Sequence, residues 1–190
     1  MREDMFQKSE MGGESQMEIK ERMDALQVAM ENEAKEAEFY RKHSERTTND
    51  LGKKMFISLA HDEREHMEKI RLLYQKLKDE GRWPEDVPLE VQGTKVGEIL
   101  KSLPAAAEKV SKADRDDLDA VKIAIEFEER GEAFYRDLSK KVENPREKEF
   151  FAMLASMEHE HLVSLRDTLE YFQNPEGWFT AKERHTIDGA

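Results

Sequence analysis

The sequence predicts an all-α protein: a four-helix bundle made of two duplicated helical hairpins joined by a long crossover. Two observations carry this prediction, a gapless internal repeat and apolar seams of helical period within it. A third agrees with them. Only 9 Gly and 5 Pro interrupt 190 residues, and there are many Glu, Lys, Ala, Leu and Met residues, as long helices favour.

The repeat appears when residues 29–66 are laid over residues 124–161, an offset of 95 with no gap. Of 38 aligned positions, 15 are identical, where chance gives about two or three. The identities include Glu33 with Glu128, Tyr40 with Tyr135, Phe56 with Phe151, Leu59 with Leu154, Glu63 with Glu158 and His66 with His161.

Each half reads as two helices. The first runs over about 17–46, and Thr47, Thr48, Asn49 and Asp50 supply turn and capping chemistry. The second runs over about 51–80 and stops at Gly81, a residue suited to the left-handed cap. The third runs over about 114–142. Asn144-Pro145 then marks a tight turn with Pro in the first turn of the fourth helix, which reaches about residue 172 before Asn174-Pro175. The short turns make each pair antiparallel, giving hairpins over 17–80 and 114–172. Residues 81–113 hold Pro84, Pro88, Gly93 and Pro104 and a short helix around 95–102. That segment is long enough to cross the length of the bundle. The bundle as a whole is expected over 17–175. Residues 1–16 form a polar N-terminal segment, and 176–190 form a C-terminal tail whose Trp178 and Phe179 are expected to dock on the bundle or on another subunit.

Composition narrows the function. The net charge of -12 argues against nucleic acid or an anionic membrane surface as the main partner. There is no cysteine, so disulfides, iron–sulfur clusters and thiol nucleophiles are excluded and any metal must be held by oxygen and nitrogen. The N-terminus shows no apolar run of a signal peptide, and no stretch approaches the ~18 apolar residues of a membrane span. A cytoplasmic location is expected.

The chemistry lies in the seams. The second helix repeats Phe56, Leu59, Glu63, His66, Ile70, Leu73, Leu77 in steps of three and four, so all seven share one face. The fourth gives Phe151, Leu154, Glu158, His161, Leu165, Leu169, Phe172. The first gives Leu26, Met30, Glu33, Ala37, Tyr40, and the third Leu118, Val121, Ile125, Glu128, Glu132, Tyr135. Every helix thus carries a carboxylate at mid-seam, and two add an imidazole one turn on. Unpaired carboxylates in a core cost several kcal/mol each, and no Lys or Arg lies on these seams at that level. Two divalent ions would balance four carboxylates. Glu and His at i and i+3 point the same way from a helix. A Glu from each of two helices with Glu-x-x-His from the other two is the ligand set of di-iron and di-manganese bundles. Oxygen-rich ligation with two imidazoles suits Fe or Mn better than a thiolate-loving ion, with Zn as a further substitute. One Glu-x-x-His in a charged helix would be weak evidence; two in register, each with an upstream seam Glu, are strong. The expected ligands are Glu33, Glu63, His66, Glu128, Glu158 and His161.

These motifs (ENEAKEAEFY, EREH, EFEERGEAFY and EHEH) resemble the rubrerythrin branch of the ferritin-like superfamily, over about residues 17–172. The resemblance implies a ferritin-like bundle and a di-iron centre that reacts with hydrogen peroxide or dioxygen. It also implies that Tyr40 and Tyr135 hydrogen-bond ligand carboxylates; read from the seams alone, they are equally ordinary core aromatics. Two departures matter. Rubrerythrins proper carry a rubredoxin domain with four cysteines, absent here, so a separate electron-donor protein is expected. They also carry an extra glutamate three residues after the third-helix ligand. Here that position is Gly131, while the matching first-helix position is Glu36. Glu36 reads either as a surface residue or as a seventh ligand with the halves exchanged. A homodimer is expected. The competing reading is a non-catalytic iron-binding or ferroxidase role in iron sequestration, and a third is an oxygenase, for which no substrate pocket is legible. His61 and His159 fall off the seam and read as solvated, and His43 matches Leu138 in the repeat and has no support as a ligand.

Overall fold

The computed structural model of the chain describes residues 19–84, 93–101 and 113–188. The predicted N-terminal segment, and residues 85–92 and 102–112 of the crossover, lie outside the described residues. The described helices are α1 (Ile19–Arg46), α2 (Asp50–Glu80), α3 (Val96–Lys101), α4 (Arg115–Lys141), α5 (Pro145–Gln173) and α6 (Pro175–Asp188). No strand occurs among the described residues.

The turn chemistry acts where the sequence places it. Asn49 caps α2 by accepting from the Gly52 amide at 2.8 Å, and its repeat equivalent Asn144 caps α5 from the amides of Arg146 and Glu147. These caps satisfy amides that a helix start leaves without partners. Pro145 occupies the first turn of α5. Gly81 closes α2 at φ 67°, the left-handed region where a side chain would be strained. Asp114 and Asp117 cap α4 reciprocally. The last turns of α1 and α4 repeat as well: Ser44 and Ser139 each donate to the carbonyl three residues back, Arg41 and Arg136.

Two apolar clusters show how the helices run. One joins Leu26 of α1, Leu73 and Leu77 of α2, Leu138 of α4 and Phe150 and Phe151 of α5. The other joins Tyr40 of α1, Leu51 and Phe56 of α2, Val121 of α4 and Leu165 and Tyr171 of α5. So α1 and α5 start at the first cluster, α2 and α4 at the second. Since α2 and α4 are parallel, the connection between them has to return along the bundle, as the long crossover predicts. On its way, Val96 and Leu100 of α3 join the second cluster. Burying each large apolar side chain contributes ~1.5–3 kcal/mol. Truncating fully buried Phe56 to Ala would cost about 3–5 kcal/mol.

The tail is more ordered than the sequence reading anticipates. Asn174 accepts from the Gly177 amide at 3.0 Å and so starts a new helix, α6, whose first residue is Pro175. Trp178 packs edge-on against Tyr171 and donates its indole N–H to Asp167 at 2.9 Å. Of the two docking surfaces expected for the tail, the chain's own bundle takes this tryptophan.

Candidate metal centre

Between the two apolar clusters lies a polar level. Its six residues are those the seams single out, one carboxylate from α1 and α4 and a Glu-x-x-His pair from α2 and α5. All are buried: Glu63, His66, Glu128 and Glu158 are 0% exposed, His161 1% and Glu33 2%. His66 Nδ1 lies 2.9 Å from Glu63, 3.3 Å from Glu33 and 3.5 Å from Glu158. His161 Nδ1 lies 3.2 Å from Glu63 and 3.4 Å from Glu128. The two rings stack at 5.5 Å.

Potential ligand atoms fall into two groups, each within 4.8 Å of one another: Glu33, Glu63, His66 and Glu158, and Glu63, Glu128, Glu158 and His161. Glu63 and Glu158 belong to both groups, so two ions would share them, while Glu33 and Glu128 each belong to one group. Many of these atoms are orphans. Both oxygens of Glu63 and Glu158, one of Glu33 and Glu128, both nitrogens of His66 and Nδ1 of His161 are buried without a hydrogen-bond partner. Buried polar atoms are ordinarily satisfied. Here their lone pairs converge on shared space without donor geometry, which is what metal ions would satisfy.

Without ions the charges compensate through protons. Burial alone would discharge both imidazoles, but Glu63 and the neighbouring carboxylates hold His66 and His161 well above the usual 6.5. Burial raises Glu63 too, yet the two imidazoles outweigh it and hold this carboxyl, common to both groups, below its ordinary range. Burial pushes Glu33 up to about 7, and burial with three like charges pushes Glu158 well up.

The tyrosines are not passive core. Tyr40 of α1 donates to Glu128 of α4 at 2.5 Å, and Tyr135 of α4 donates to Glu33 of α1. Glu36 is outside both four-residue groups. It is partly exposed, and burial with the charges of Glu128, Glu63 and Glu33 pushes its carboxyl up to about 10. It therefore borders the cluster. Across the repeat, Gly131 lies under Glu158: a Cβ there would be 3.3 Å from its Cγ and from Oε2.

Sequence reasoning missed Asp62. Its Oδ2 lies 3.4 Å from His161 Nε2, on the far side of the ring from the cluster. It precedes Glu63 on α2 and sits off the apolar seam, and the repeat gives it no echo because its equivalent is Met157. Asp62 also borders a surface cavity of about 590 Å³ between α2 and α3, with Ile57, His61, Glu65, Lys95 and Ile99. His61 is solvated as expected. His159 is also largely exposed but meets Glu132 at 3.3 Å, and His43 packs on Phe39 away from the cluster. The side chain of His185 lies outside the described residues.

The rubrerythrin family model matches residues 24–113 and 119–187. The chain belongs to the rubrerythrin family. The match runs beyond the repeat through α6, so this rubrerythrin relative shares more with its family than the duplicated hairpins. A solved structure of a hypothetical protein from Pyrococcus furiosus is 26% identical, with a TM-score of 0.58 over 84% of this chain and 98% of that one. No curated protein matches. Family and cluster together point to metal binding. Among the described residues, no helix is long and apolar enough to cross a membrane.

Proposed function

We propose that the chain holds two iron ions between Glu33, Glu63, His66, Glu128, Glu158 and His161, and that it is an oxidoreductase reducing hydrogen peroxide or reacting with dioxygen. The observation that carries this reading is the set of buried, orphaned carboxylate and imidazole atoms in two overlapping groups. Mn or Zn can occupy such oxygen- and nitrogen-rich positions as substitutes. When bound, two ferrous ions supply one electron each to an O–O unit. Peroxide reduction then breaks the O–O bond, consumes two electrons and two protons, and gives two waters.

The chain's own residues do the rest. Glu63 and Glu158, common to both groups, would hold the two ions together, and Tyr40 and Tyr135 steady the carboxylates of Glu128 and Glu33 by hydrogen bonds. The apolar clusters on either side keep bulk water from the level of the cluster. In this reading the electrons come from a separate donor protein.

The test mixes the anaerobic ferrous protein with peroxide and with dioxygen in separate stopped-flow runs. Faster oxidation by peroxide is expected; oxidation no faster than with dioxygen would count against peroxide reduction. Size-exclusion chromatography addresses the sequestering alternative. A dimer is expected, and a large hollow assembly would favour storage.

A further inference from the structure

The two halves differ at the cluster, and both differences fall on the same side. The carboxylates of Glu33 and Glu128 are not the source, because Tyr40–Glu128 and Tyr135–Glu33 are equivalent across the repeat. The imidazoles are. Asp62 Oδ2 stands 3.4 Å behind His161 Nε2, near enough for its charge to act on the ring although without hydrogen-bond geometry. The residue equivalent to Asp62 is Met157, buried and without a carboxylate. His66 Nε2 is buried with no hydrogen-bond partner. The second difference is Glu36 against Gly131. Glu36 lies in the field of Glu128, Glu63, Glu33 and His161, which is chiefly the His161 group. Gly131, its counterpart, brings no charge and instead seats the Glu158 side chain on bare backbone.

We infer that the two metal positions are inequivalent: the position formed by Glu63, Glu128, Glu158 and His161 fills first, and the position formed by Glu33, Glu63, Glu158 and His66 fills second and exchanges its ion more readily. The inference rests on the two-ion reading above. Its physical basis is the imidazole's outer partner. A carboxylate behind a ligating ring fixes the ring's orientation and raises its basicity, and losing it costs about 10–100-fold in metal affinity. His66 lacks that support. Glu36 brings a further carboxyl near the His161 position, one whose ionised form a bound metal ion would favour, and its counterpart Gly131 brings none.

The probe is Mn²⁺, which takes oxygen and nitrogen ligands and reports its place by anomalous scattering. The full-length metal-free protein is given a single equivalent and crystallised, and the occupancies of the two positions are compared. The expected result is a preference for the His161 position of about tenfold or more. Asp62→Asn keeps the shape and removes the charge, and is expected to reduce that preference about tenfold or more. Glu36→Gln is expected to reduce it less. Equal occupancies in the unaltered protein, a preference for the His66 position, or a preference unchanged by Asp62→Asn would each overturn the inference. If Asp62→Asn fails to fold, the unaltered protein's occupancies and Glu36→Gln still decide it. Absence of manganese from both positions at saturating concentration would be a separate result, sinking the two-ion reading itself.

Discussion

Tyr40 in the first hairpin donates its hydroxyl to Glu128 in the second, at 2.5 Å. With Tyr135 and Glu33 it forms a reciprocal brace, since the repeat equivalents of each pair are the members of the other. The pairing ties α1 to α4 at the level where four buried carboxylates repel. Tyr40→Phe leaves the second Glu128 oxygen, like the first, buried without a donor and is expected to cost the metal-free protein about 1–3 kcal/mol. Tyr135→Phe is expected to cost about as much, because its partner is equally buried. Urea unfolding of the two variants checks both. A loss well under 1 kcal/mol in each would show that the brace carries no energy.

This brace shows what a sequence can and cannot disclose. Helix periodicity placed Tyr40 and Tyr135 on the seams, and the repeat made them equivalent, but neither says that a hydroxyl crosses between hairpins. The six cluster residues were legible because they are polar where the period demands apolar residues. Asp62 was not: it lies beside the seam, as most charged helix residues do, and only packing brings it to His161. The same holds for Glu147, which reads as an ordinary first-turn acid and is fully buried against Arg22. Helix α6 was hidden by Asn174-Pro175, which ends one helix and starts the next with the same residues.

Metal loading is expected to release protons. In the metal-free cluster His66 and His161 are held well above 6.5, and Glu33 is at about 7. A metal takes neutral imidazole and ionised carboxylate. Loading near neutral pH therefore releases about two protons or more, and affinity rises with pH through this range. Calorimetric Mn²⁺ titrations in two buffers of different ionisation enthalpy measure the number. Heats independent of the buffer would contradict it. Glu128→Ala, which removes a proposed ligand, is expected to lower metal content sharply, and an unchanged load would sink that assignment. Ligand excess of about 1,000 Kd is expected to stabilise the unaltered protein by ~4 kcal/mol.

Gly131→Ala is expected to act with opposite signs on the two forms. Alanine gains about 1 kcal/mol of helix propensity over glycine. The new Cβ would meet Glu158 at 3.3 Å, so that side chain has to give way by a few tenths of an ångström. Without metal it is a flexible chain and can shift, so stability rises or holds. With metal it would be held as a shared ligand and could not shift, so affinity is expected to fall. Thermal unfolding of both forms tests the pair of signs; an equal change in each would show that Glu158 does not depend on the space above Gly131.

Glu147 supplies a pH dependence independent of the metal. Its side chain is fully buried at the start of α5, 3.3 Å from Arg22 of α1, and burial pushes its carboxyl up to about 7 although the guanidinium pulls it down. An acid whose folded pKa is raised binds its proton more tightly when folded. Its contribution to stability is therefore whole below the ordinary value of 4.5, declines as pH rises from there to about 7, and is flat above. Glu147→Gln removes the titration. The stability of the unaltered protein relative to this variant should fall by about 1–2 kcal/mol across that window. Taking the difference between the two proteins at each pH cancels the titration of the central cluster, which both share. Urea unfolding at intervals from pH 4.5 to about 7 measures it. A constant difference would mean that Glu147 is already ionised throughout, and a rising one that the Arg22 ion pair outweighs burial.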